Sequence, residues 1–357
     1  MPNHIYVHRD TVPKTMRAIA KVEAAPGLKL IEALVPTPGP GEVLIRVKKT
    51  ALSAAALSID RWDNWAQRTI HPPVIVGHEF VGLVASIGPG VTDLHPGELV
   101  IGEPCVACGT CRHCLDGHRH LCPEAHRLGQ DRDGAFADYV CLPQGAVWHA
   151  DPRLPADLLA CFAPLGQVVR IARRFDLLGA HVLVAGAGAL GCMATAIARH
   201  AGARSVVVVD NQPARLELAK TLGATRVVDT RDATLDGIQR ELAIRDGFDL
   251  GIETSGNASA LGDVLTHLRL GAQLALLGQP GDDALTNWGQ IVTKQLIVHG
   301  IDGRDNRIDW ERLTLALHSG LDVTPIITHC LPVGNFREAF ERTASGEPGK
   351  MILDWES

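Results

Sequence analysis

Four cysteines stand close together in the first half of the chain, in the spacing Cys108-x2-Cys111-x2-Cys114-x7-Cys122. Four thiolates can close a tetrahedral zinc site and leave no open position for a substrate. Disulfides are the alternative for paired cysteines, but Cys-x2-Cys pairs in a cytosolic chain are more often metal or redox sites. The spacing therefore predicts one structural zinc ion in a lobe spanning residues 105–122, with no role assigned to Cys105.

A second motif, Gly186-Ala187-Gly188-Ala189-Leu190-Gly191, follows an apolar run and opens a helical segment. The first glycine permits a tight turn, the second lets the backbone approach a pyrophosphate, and the third lets helix and strand pack closely. Asp210 closes the next strand about 20 residues further on. Its carboxylate can accept hydrogen bonds from both ribose hydroxyls and would repel a 2′-phosphate. The motif predicts NAD binding, while the nearby Arg215 leaves NADP open.

The composition is that of an ordinary globular protein, with 46% hydrophobic residues, 21% charged residues and a net charge of -6 in 357 residues. This charge gives no reason to expect a nucleic acid or an anionic membrane as a partner. The first residues contain no apolar stretch of the kind found in signal peptides. Five of the nine cysteines lie between Cys105 and Cys122, unlike a secreted disulfide framework. We expect a cytoplasmic protein.

The elements that must position these motifs change character along the chain. The first 150 residues are rich in short strands such as Glu42–Val47 and Phe80–Ile87, bounded by glycine and proline. From about residue 165, six strand-like runs alternate with helical segments, which favours a doubly wound parallel sheet. The last part of the chain, from about residue 302, again contains both helical and strand-like segments. The fold class predicted is α/β, a Rossmann sheet plus a discontinuous β-rich domain, with domains at 1–164, 165–301 and 302–357.

The whole pattern resembles the zinc-dependent medium-chain dehydrogenases and, within them, the L-threonine 3-dehydrogenase family. The resemblance covers nearly the whole chain after Met16, and we expect the residues before it to be mobile. Besides the cysteine lobe and the glycine loop, it rests on Trp62-Asp63-x-Trp65-x-Gln67, Val76-Gly77-His78-Glu79-Phe80-Val81-Gly82, Ser319-Gly320-Leu321-Asp322, Pro325-Ile326-Ile327-Thr328-His329 and Gly349-Lys350-Met351-Ile352-Leu353.

The resemblance implies a GroES-like domain joined to the Rossmann domain, an active site in the cleft between them, and a homo-oligomer, either a tetramer or a dimer. It also implies which residues contact NAD. Besides Gly186, Gly188 and Gly191, these are Leu190, Asp210, Arg215, Leu277, Gly278, Gln279, Ile301 and Asp302.

One segment departs from the family pattern. The family holds its catalytic zinc with a Cys and with the His and Glu of a Gly-His-Glu motif, which His78 and Glu79 match. Where the Cys is expected this chain has Ser53, and the relay Thr and His of the family are replaced by Ala55 and Ser58. The acidic residue that the family carries before Pro-x-Gly is replaced by Ala163.

These replacements change the chemistry that the cleft can perform. A catalytic zinc is a Lewis acid for the substrate oxygen and needs about three protein ligands and one open position. A neutral Ser hydroxyl is a poor zinc ligand, so His78 and Glu79 alone should not hold the ion. We therefore expect no zinc-assisted alcohol oxidation, and threonine oxidation in particular is not expected.

Three functions then compete, with zinc-dependent threonine or alcohol dehydrogenation as a fourth. The first is an NAD-dependent oxidoreductase that transfers hydride to or from an activated C=O, C=N or C=C bond of a small polar molecule. Its candidate proton donors or orienting groups are Ser53, Ser58, Asp60, His78 and Glu79. The second is a redox-neutral enzyme that uses bound NAD transiently. The third is a non-catalytic NAD-binding or regulatory protein. The run of Ala54 to Ala56 would suit it, but Asp60, Arg61 and Arg170 are polar residues in or near the expected pocket, where a lost function would not require them.

Overall fold

The computed structural model describes residues 12–232, 234–279, 287–303 and 306–357. Most of the N-terminal extension that we expected to be mobile lies outside these residues. Within the described parts of the chain, no helix is both long and apolar enough to cross a membrane.

The N-terminal part is β-rich, as predicted. Its strands are β1 (Thr15–Lys21), β2 (Lys29–Leu34), β3 (Glu42–Ala51), β4 (Val74–Ile75), β5 (Phe80–Ile87), β6 (Leu99–Gly102), β7 (Cys105–Val106), β8 (His126–Arg127), β9 (Tyr139–Pro143) and β10 (Val147–His149). Its helices are α1 (Ala54–Arg61), α2 (Asn64–Thr69), α3 (Arg112–Leu115), α4 (Ala156–Ala160) and α5 (Phe162–Arg174).

The second part alternates strands and helices. The strands are β11 (His181–Ala185), β12 (Ser205–Asp210), β13 (Arg226–Asp229), β14 (Phe248–Glu253), β15 (Leu268–Leu276) and β16 (Ile297–Gly300). The helices are α6 (Ala189–His200), α7 (Pro213–Thr221), α8 (Leu235–Glu241), α9 (Ala258–His267) and α10 (Trp288–Thr293). The tail adds α11 (Asn306–His318), β17 (Ile327–Pro332), α12 (Phe336–Ala344) and β18 (Lys350–Asp354).

The six strands of the second part form one parallel sheet in the order β13-β12-β11-β14-β15-β16. This is the strand order of a doubly wound dinucleotide-binding sheet. Because successive side chains of a strand point to opposite faces, Val182 and Val184 of β11 belong to one hydrophobic core. Leu183 and Ala185 belong to the core on the other face. Burial on both faces explains why β11 is apolar at every position from 182 to 185.

The tail completes the sheet of the N-terminal part, which makes that domain discontinuous, as predicted. Strand β18 pairs with β3 through Ile352 opposite Ala51, and β17 lies beside β18 in parallel. The same β3 pairs with β5 and β9, so it is the strand from which this sheet is built. The fold class is confirmed, whereas the domain limits at residues 164 and 301 stay predictions.

The helices of the N-terminal part were not predicted from the sequence, and two of them bear on the site. The segment expected to carry the family's zinc cysteine forms α1, and α2 follows after Asp63. Ser53 caps α1, since its side chain accepts a hydrogen bond from the backbone N–H of Ala56 at 3.2 Å. Asp63 caps α2 through the N–H of Ala66 at 3.0 Å. Ser and Asp at these positions satisfy N–H groups that a helix start leaves unpaired, and alanine is the best helix former.

Candidate functional site

The four cysteines of the lobe converge on one point. Their sulfur atoms all lie within 4.8 Å of one another, and four Sγ–Sγ distances fall between 3.5 and 4.0 Å. A tetrahedron with Zn–S bonds of about 2.3 Å has sulfurs about 3.8 Å apart. Hydrogen bonds from the backbone of Thr110 and Cys111 lower the pKa of the Cys108 thiol to about 6, and the thiolate is the form that binds metal. The donor set fits the predicted structural zinc.

This lobe also carries side chains into the cleft between the two domains. The segment Arg119–Leu121 is a single 3₁₀ turn that ends at Cys122, so a zinc ligand fixes its end. The lobe is closed at its base by the antiparallel pair of β7 and β8, in which Cys105 lies opposite Arg127. Cys105, Arg119, His120 and Arg127 all line the cleft.

The glycine turn has the geometry that its sequence predicts. Gly186 has φ +92°, a backbone conformation that glycine adopts without steric cost. A Cβ on Gly191 would lie 1.8 Å from the carbonyl oxygen of Gly186, so only glycine allows this contact between α6 and the turn. A Cβ on Gly188 would meet no atom within 4 Å. The backbone at Gly188 is therefore open to a ligand at the N-terminus of α6, where free N–H groups favour a phosphate.

Asp210 and Arg215 lie beside this turn. The Asp210 carboxylate accepts hydrogen bonds from the N–H of Ala187 at 2.7 Å and of Gln212 at 2.9 Å. It therefore stays at the end of β12, close to the glycine turn. The Nε of Arg215 donates to the carbonyl of Gly346 at 3.1 Å, which ties this guanidinium to the turn after α12.

Leu190 lies in the first turn of α6, and the other predicted cofactor residues come together at the carboxyl ends of β15 and β16. Leu277, Gly278, Gln279, Ile301 and Asp302 line one cavity of about 300 Å³. In open parallel sheets, ligands bind at this edge.

The sequence analysis missed one residue, Glu253, that holds the loops at this edge of the sheet together. Glu253 at the end of β14 is buried, and its carboxylate accepts from the N–H groups of Ser255 and Gly256. Its carbonyl accepts from the N–H groups of Leu277 and Gly278, so it joins two loops of the cofactor edge. The signal was an acidic residue closing an apolar strand directly before Thr254-Ser255-Gly256.

A second cavity, of about 200 Å³, continues from the first toward the β-rich domain. His120, Gln279 and Asp302 line both cavities, so the two are parts of one cleft. His78, Glu79 and Ala163 line the second cavity. The positions of the family's histidine, glutamate and acidic zinc residues therefore do meet in this chain, but Ala163 offers no ligand atom.

Glu79 is held by an ion pair. It is 4% exposed, and its Oε2 lies 2.7 Å from Nζ of Lys350, itself 4% exposed. Lys350 also donates to the carbonyl of Leu52. A positive charge at this distance favours the ionised carboxylate, which argues against the general-acid role that we predicted for Glu79.

The other three predicted catalytic residues do not line either cavity. Ser53 caps α1 as described above, and Ser58 lies half-buried within the same helix. Oδ1 of Asp60 accepts from the N–H of Leu28 at 3.0 Å, which directs this carboxylate to the loop before β2. Of the five candidates, the structure brings only His78 and Glu79 to the cleft.

Several residues that the sequence analysis did not single out line the cleft instead. Glu103 is buried at the end of β6, and Arg119, His120 and Arg127 come from the zinc lobe. Arg170 on α5, which was expected in or near the pocket, does line the cleft, and it lies 3.1 Å from Nε2 of His120. Since a guanidinium only donates hydrogen bonds, Nε2 accepts this bond. No sequence motif predicts these positions, because they depend on how the lobe folds against α5.

Two glycine variants separate the cofactor-binding role of the turn from its packing role. We expect Gly188→Ala to leave the thermal unfolding midpoint within about 2 °C of the wild type, because its Cβ meets nothing. It should weaken NADH binding at least about tenfold, because the methyl group occupies the space into which a pyrophosphate must approach.

Gly191→Ala should instead destabilise the fold itself, by roughly 1–3 kcal/mol for an overpacked contact. NADH fluorescence titration and thermal unfolding of both variants measure the two effects. Equal loss of stability in the two variants would contradict this assignment of roles.

Comparisons with known proteins agree with this architecture. Residues 39–152 match the model of the alcohol dehydrogenase GroES-like domain, and residues 189–319 match that of the zinc-binding dehydrogenases. The chain is 45% identical over 340 residues to an L-threonine 3-dehydrogenase of Streptomyces coelicolor, covering 95% of this chain and 99% of that protein. It is 42% identical over 341 residues to the L-threonine 3-dehydrogenase of Solibacter usitatus, covering 96% and 100%.

Solved structures show the same fold. Galactitol-1-phosphate dehydrogenase from Escherichia coli is 27% identical, with a TM-score of 0.85 over 95% of this chain and 100% of that one. An alcohol dehydrogenase from E. coli CFT073 complexed with NADH has a TM-score of 0.86 at 24% identity, over 96% and 100%. These findings confirm the prediction of a nicotinamide-dependent oxidoreductase, and the chain belongs to the zinc-type medium-chain alcohol dehydrogenase family, in which it resembles proteins named L-threonine 3-dehydrogenase.

Proposed function

We propose that this protein is an NAD-dependent oxidoreductase that transfers hydride to or from a small polar molecule without a catalytic zinc. The observation that carries the proposal is the donor set of the cleft. Among the described residues, the only group of three or more His, Cys, Asp or Glu side chains with converging ligand atoms is the cysteine cluster of the lobe. His78 and Glu79 meet at the family's metal position, but Ser53 and Ala163 supply no third strong ligand.

The chain's own residues would bind and orient the substrate in such a reaction. Bound nicotinamide supplies or accepts the hydride, so the protein need only position the partners and move a proton. His78, Cys105 and His120 line the cavity with groups that can donate a hydrogen bond to a substrate oxygen or nitrogen. An imine or a conjugated double bond needs less polarisation than a simple ketone, which suits a cleft with these donors and no Lewis acid.

The residues of the same cleft also bear on the other three functions. A redox-neutral enzyme would use the same NAD site and the same donors, and no observation favours it over net hydride transfer. A non-catalytic NAD-binding protein would not require the buried Glu103 or the Arg170–His120 contact in its cleft. Threonine oxidation, which the names of the relatives suggest, would require a metal at His78 and Glu79.

The proposal predicts activity that does not depend on a second metal. Purified protein with NADH should reduce at least one member of a panel of imines, enones and activated ketones. Dipicolinate at concentrations that leave the lobe zinc in place should not change the rate. NADH absorbance gives the rate, and elemental analysis gives the zinc content.

A gain-of-site variant provides the matched control. The double variant S53C/A163E reintroduces the two ligand types that the family has at these positions, and we expect its zinc content to rise from one to two per chain. Oxidation of L-threonine by the wild-type protein, abolished by dipicolinate, would contradict the proposal.

We propose NAD as the cofactor because Asp210 lies at the ribose end of the predicted site. The variant Asp210→Asn keeps the shape but loses the charge that would repel a 2′-phosphate. We expect kcat/KM for NADH to fall at least about tenfold, as for loss of a charged hydrogen bond, and kcat/KM for NADPH to rise. Steady-state rates with both cofactors test this, and a wild-type preference for NADPH would refute the assignment.

We also propose that the protein is a homo-oligomer whose subunits meet at the edge of the parallel sheet. Strand β16 is the last strand in the sheet order. Around it, Trp288, Val292 and Ile297 are at least half exposed. An apolar edge strand of this kind is a ready site for pairing with a second chain.

The double variant W288E/V292K should therefore shift the protein to monomers. Light scattering after size-exclusion chromatography measures the mass. The matched variant Leu178→Glu changes another exposed apolar residue, at a distance in sequence from β16, and should leave the mass unchanged. An unchanged mass in W288E/V292K would place the interface elsewhere.

A further inference from the structure

The 3₁₀ turn of the zinc lobe forms one wall of the cavity at the predicted cofactor edge. His120 and Leu121 line this cavity together with the predicted cofactor residues that follow β15 and β16. The lobe also approaches this edge closely, because a Cβ built on Gly303 would lie 3.5 Å from Cβ of His120. A ligand in the cavity therefore meets the zinc lobe as well as the carboxyl edge of the parallel sheet.

Apolar packing does little to hold this turn, since none of its three side chains is buried. Its backbone is tied to the cysteine cluster instead. The N–H of Cys122 donates to the carbonyl of Arg119 at 3.1 Å, and the N–H of His118, directly before the turn, donates to the carbonyl of His113 at 2.7 Å. The predicted zinc ligands Cys114 and Cys122 lie on either side of the turn in the sequence. Because metal binding and folding are coupled in such segments, the turn is ordered when the four thiolates hold the ion.

One face of helix α5 connects this turn to the cofactor edge. Gln167 and Arg170 are three residues apart, so they lie on the same side of the helix. The guanidinium of Arg170, a residue that is only 8% exposed, donates to Nε2 of His120 at 3.1 Å. The amide of Gln167 donates to the carbonyl of Ile301 at 2.9 Å, which holds the loop after β16. The lobe and the cofactor loop are thus bound to one helix.

The other side of α5 is packed into the core of the cofactor domain. Leu165 and Val168 of α5 belong to the same buried cluster as Met193 and Ala196 of α6, the helix that begins at the glycine turn. Close packing of this kind transmits displacement from one element to the next. Arg170 therefore connects the zinc lobe to a helix that is a fixed part of the cofactor domain.

We infer that Arg170 is a positioning residue that couples the zinc site of the lobe to the cofactor site. Through its bond to His120, it keeps the ordered turn against the cavity in which the cofactor binds, so that zinc and NADH each raise the affinity for the other. Such coupling is reciprocal, because each ligand changes the affinity for the other by the same factor. The inference does not require the reaction proposed above. It requires only zinc in the lobe and cofactor binding at this edge of the sheet.

The test measures both affinities on the full chain under reducing conditions. Fluorescence titration gives the dissociation constant of NADH for zinc-loaded protein and for protein whose zinc has been removed by the chelator TPEN. Elemental analysis after equilibration with graded concentrations of TPEN gives the zinc affinity with and without saturating NADH. We expect removal of zinc to weaken NADH binding at least about fivefold, and saturating NADH to strengthen zinc binding by a similar factor.

Two variants remove the bond from either side. Arg170→Met loses the donor and keeps much of the side-chain length, whereas His120→Phe loses the acceptor and keeps a ring. In each variant that is folded by circular dichroism, the coupling factor should fall below about twofold, although the four cysteines still bind zinc. A merely structural role of the bond would lower the unfolding midpoint and leave this factor unchanged.

The control variant is Arg174→Met, which makes the same replacement at an exposed position of the same helix. Its coupling factor should equal that of the wild-type protein. The inference is overturned if the two wild-type affinities are independent of each other, or if coupling of wild-type size persists in Arg170→Met or His120→Phe. Coupling that arises only because the whole chain unfolds without zinc would persist in these variants and would count as that second result. Failure of both variants to fold would also overturn the inference, since the bond would then serve the fold rather than the coupling.

Discussion

The convergence of four thiolates in one short lobe is the constraint on which the substrate side of this protein depends. The lobe has no helix longer than the four residues of α3 between Cys105 and Arg127, so little regular hydrogen bonding holds it. Metal binding supplies folding free energy in such segments, because the four ligands come together only when the segment folds. Because the 3₁₀ turn with Arg119 and His120 lies between two of the ligands, the same metal would fix the side chains that face the cleft.

The cofactor side rests on a different kind of constraint, the packing of a buried parallel sheet. Gly191 allows α6 to approach the turn after β11, and Glu253 joins the loops at the carboxyl ends of β14 and β15. These features require only that the sheet be formed. The substrate end can change its chemistry independently, because most of its residues come from the segment before β5, the lobe and α5. This separation explains how a chain can keep the pattern of a dinucleotide site beside a cleft whose metal-ligating residues differ from those of the family.

Much of the fold could be predicted from the sequence because local periodicity determines it. The strand Phe80–Ile87 has the predicted limits, since an apolar run bounded by glycine leaves little choice of element. The cysteine cluster was also predictable, because the short spacing between the four cysteines is enough to bring their sulfur atoms together. The cleft was not, because Arg119, His120 and Arg127 reach it through the path of the lobe. Ser53 was chosen from its position in a family motif and Asp60 as a polar residue near the expected pocket, but the structure uses them as a helix cap and a loop contact.

The ion pair of Glu79 and Lys350 shows how a motif can persist with an altered role. In the sequence, Gly77-His78-Glu79 predicts either metal ligation or acid catalysis. In the structure, a buried ammonium holds the glutamate as a carboxylate, and removing one member of such a pair is costly. Glu79 therefore joins the segment before β5 to the tail strand β18, which is a structural role that does not depend on a metal.

The central claim, a cleft that works without a catalytic metal, is tested most directly by counting zinc in the purified wild-type protein. Elemental analysis against protein concentration from amino-acid analysis gives the number of ions per chain. This account predicts one zinc per chain, bound by Cys108, Cys111, Cys114 and Cys122. Two zinc ions per chain would contradict it, since a second ion would have to be held at His78 and Glu79 and would restore Lewis-acid catalysis to the cleft.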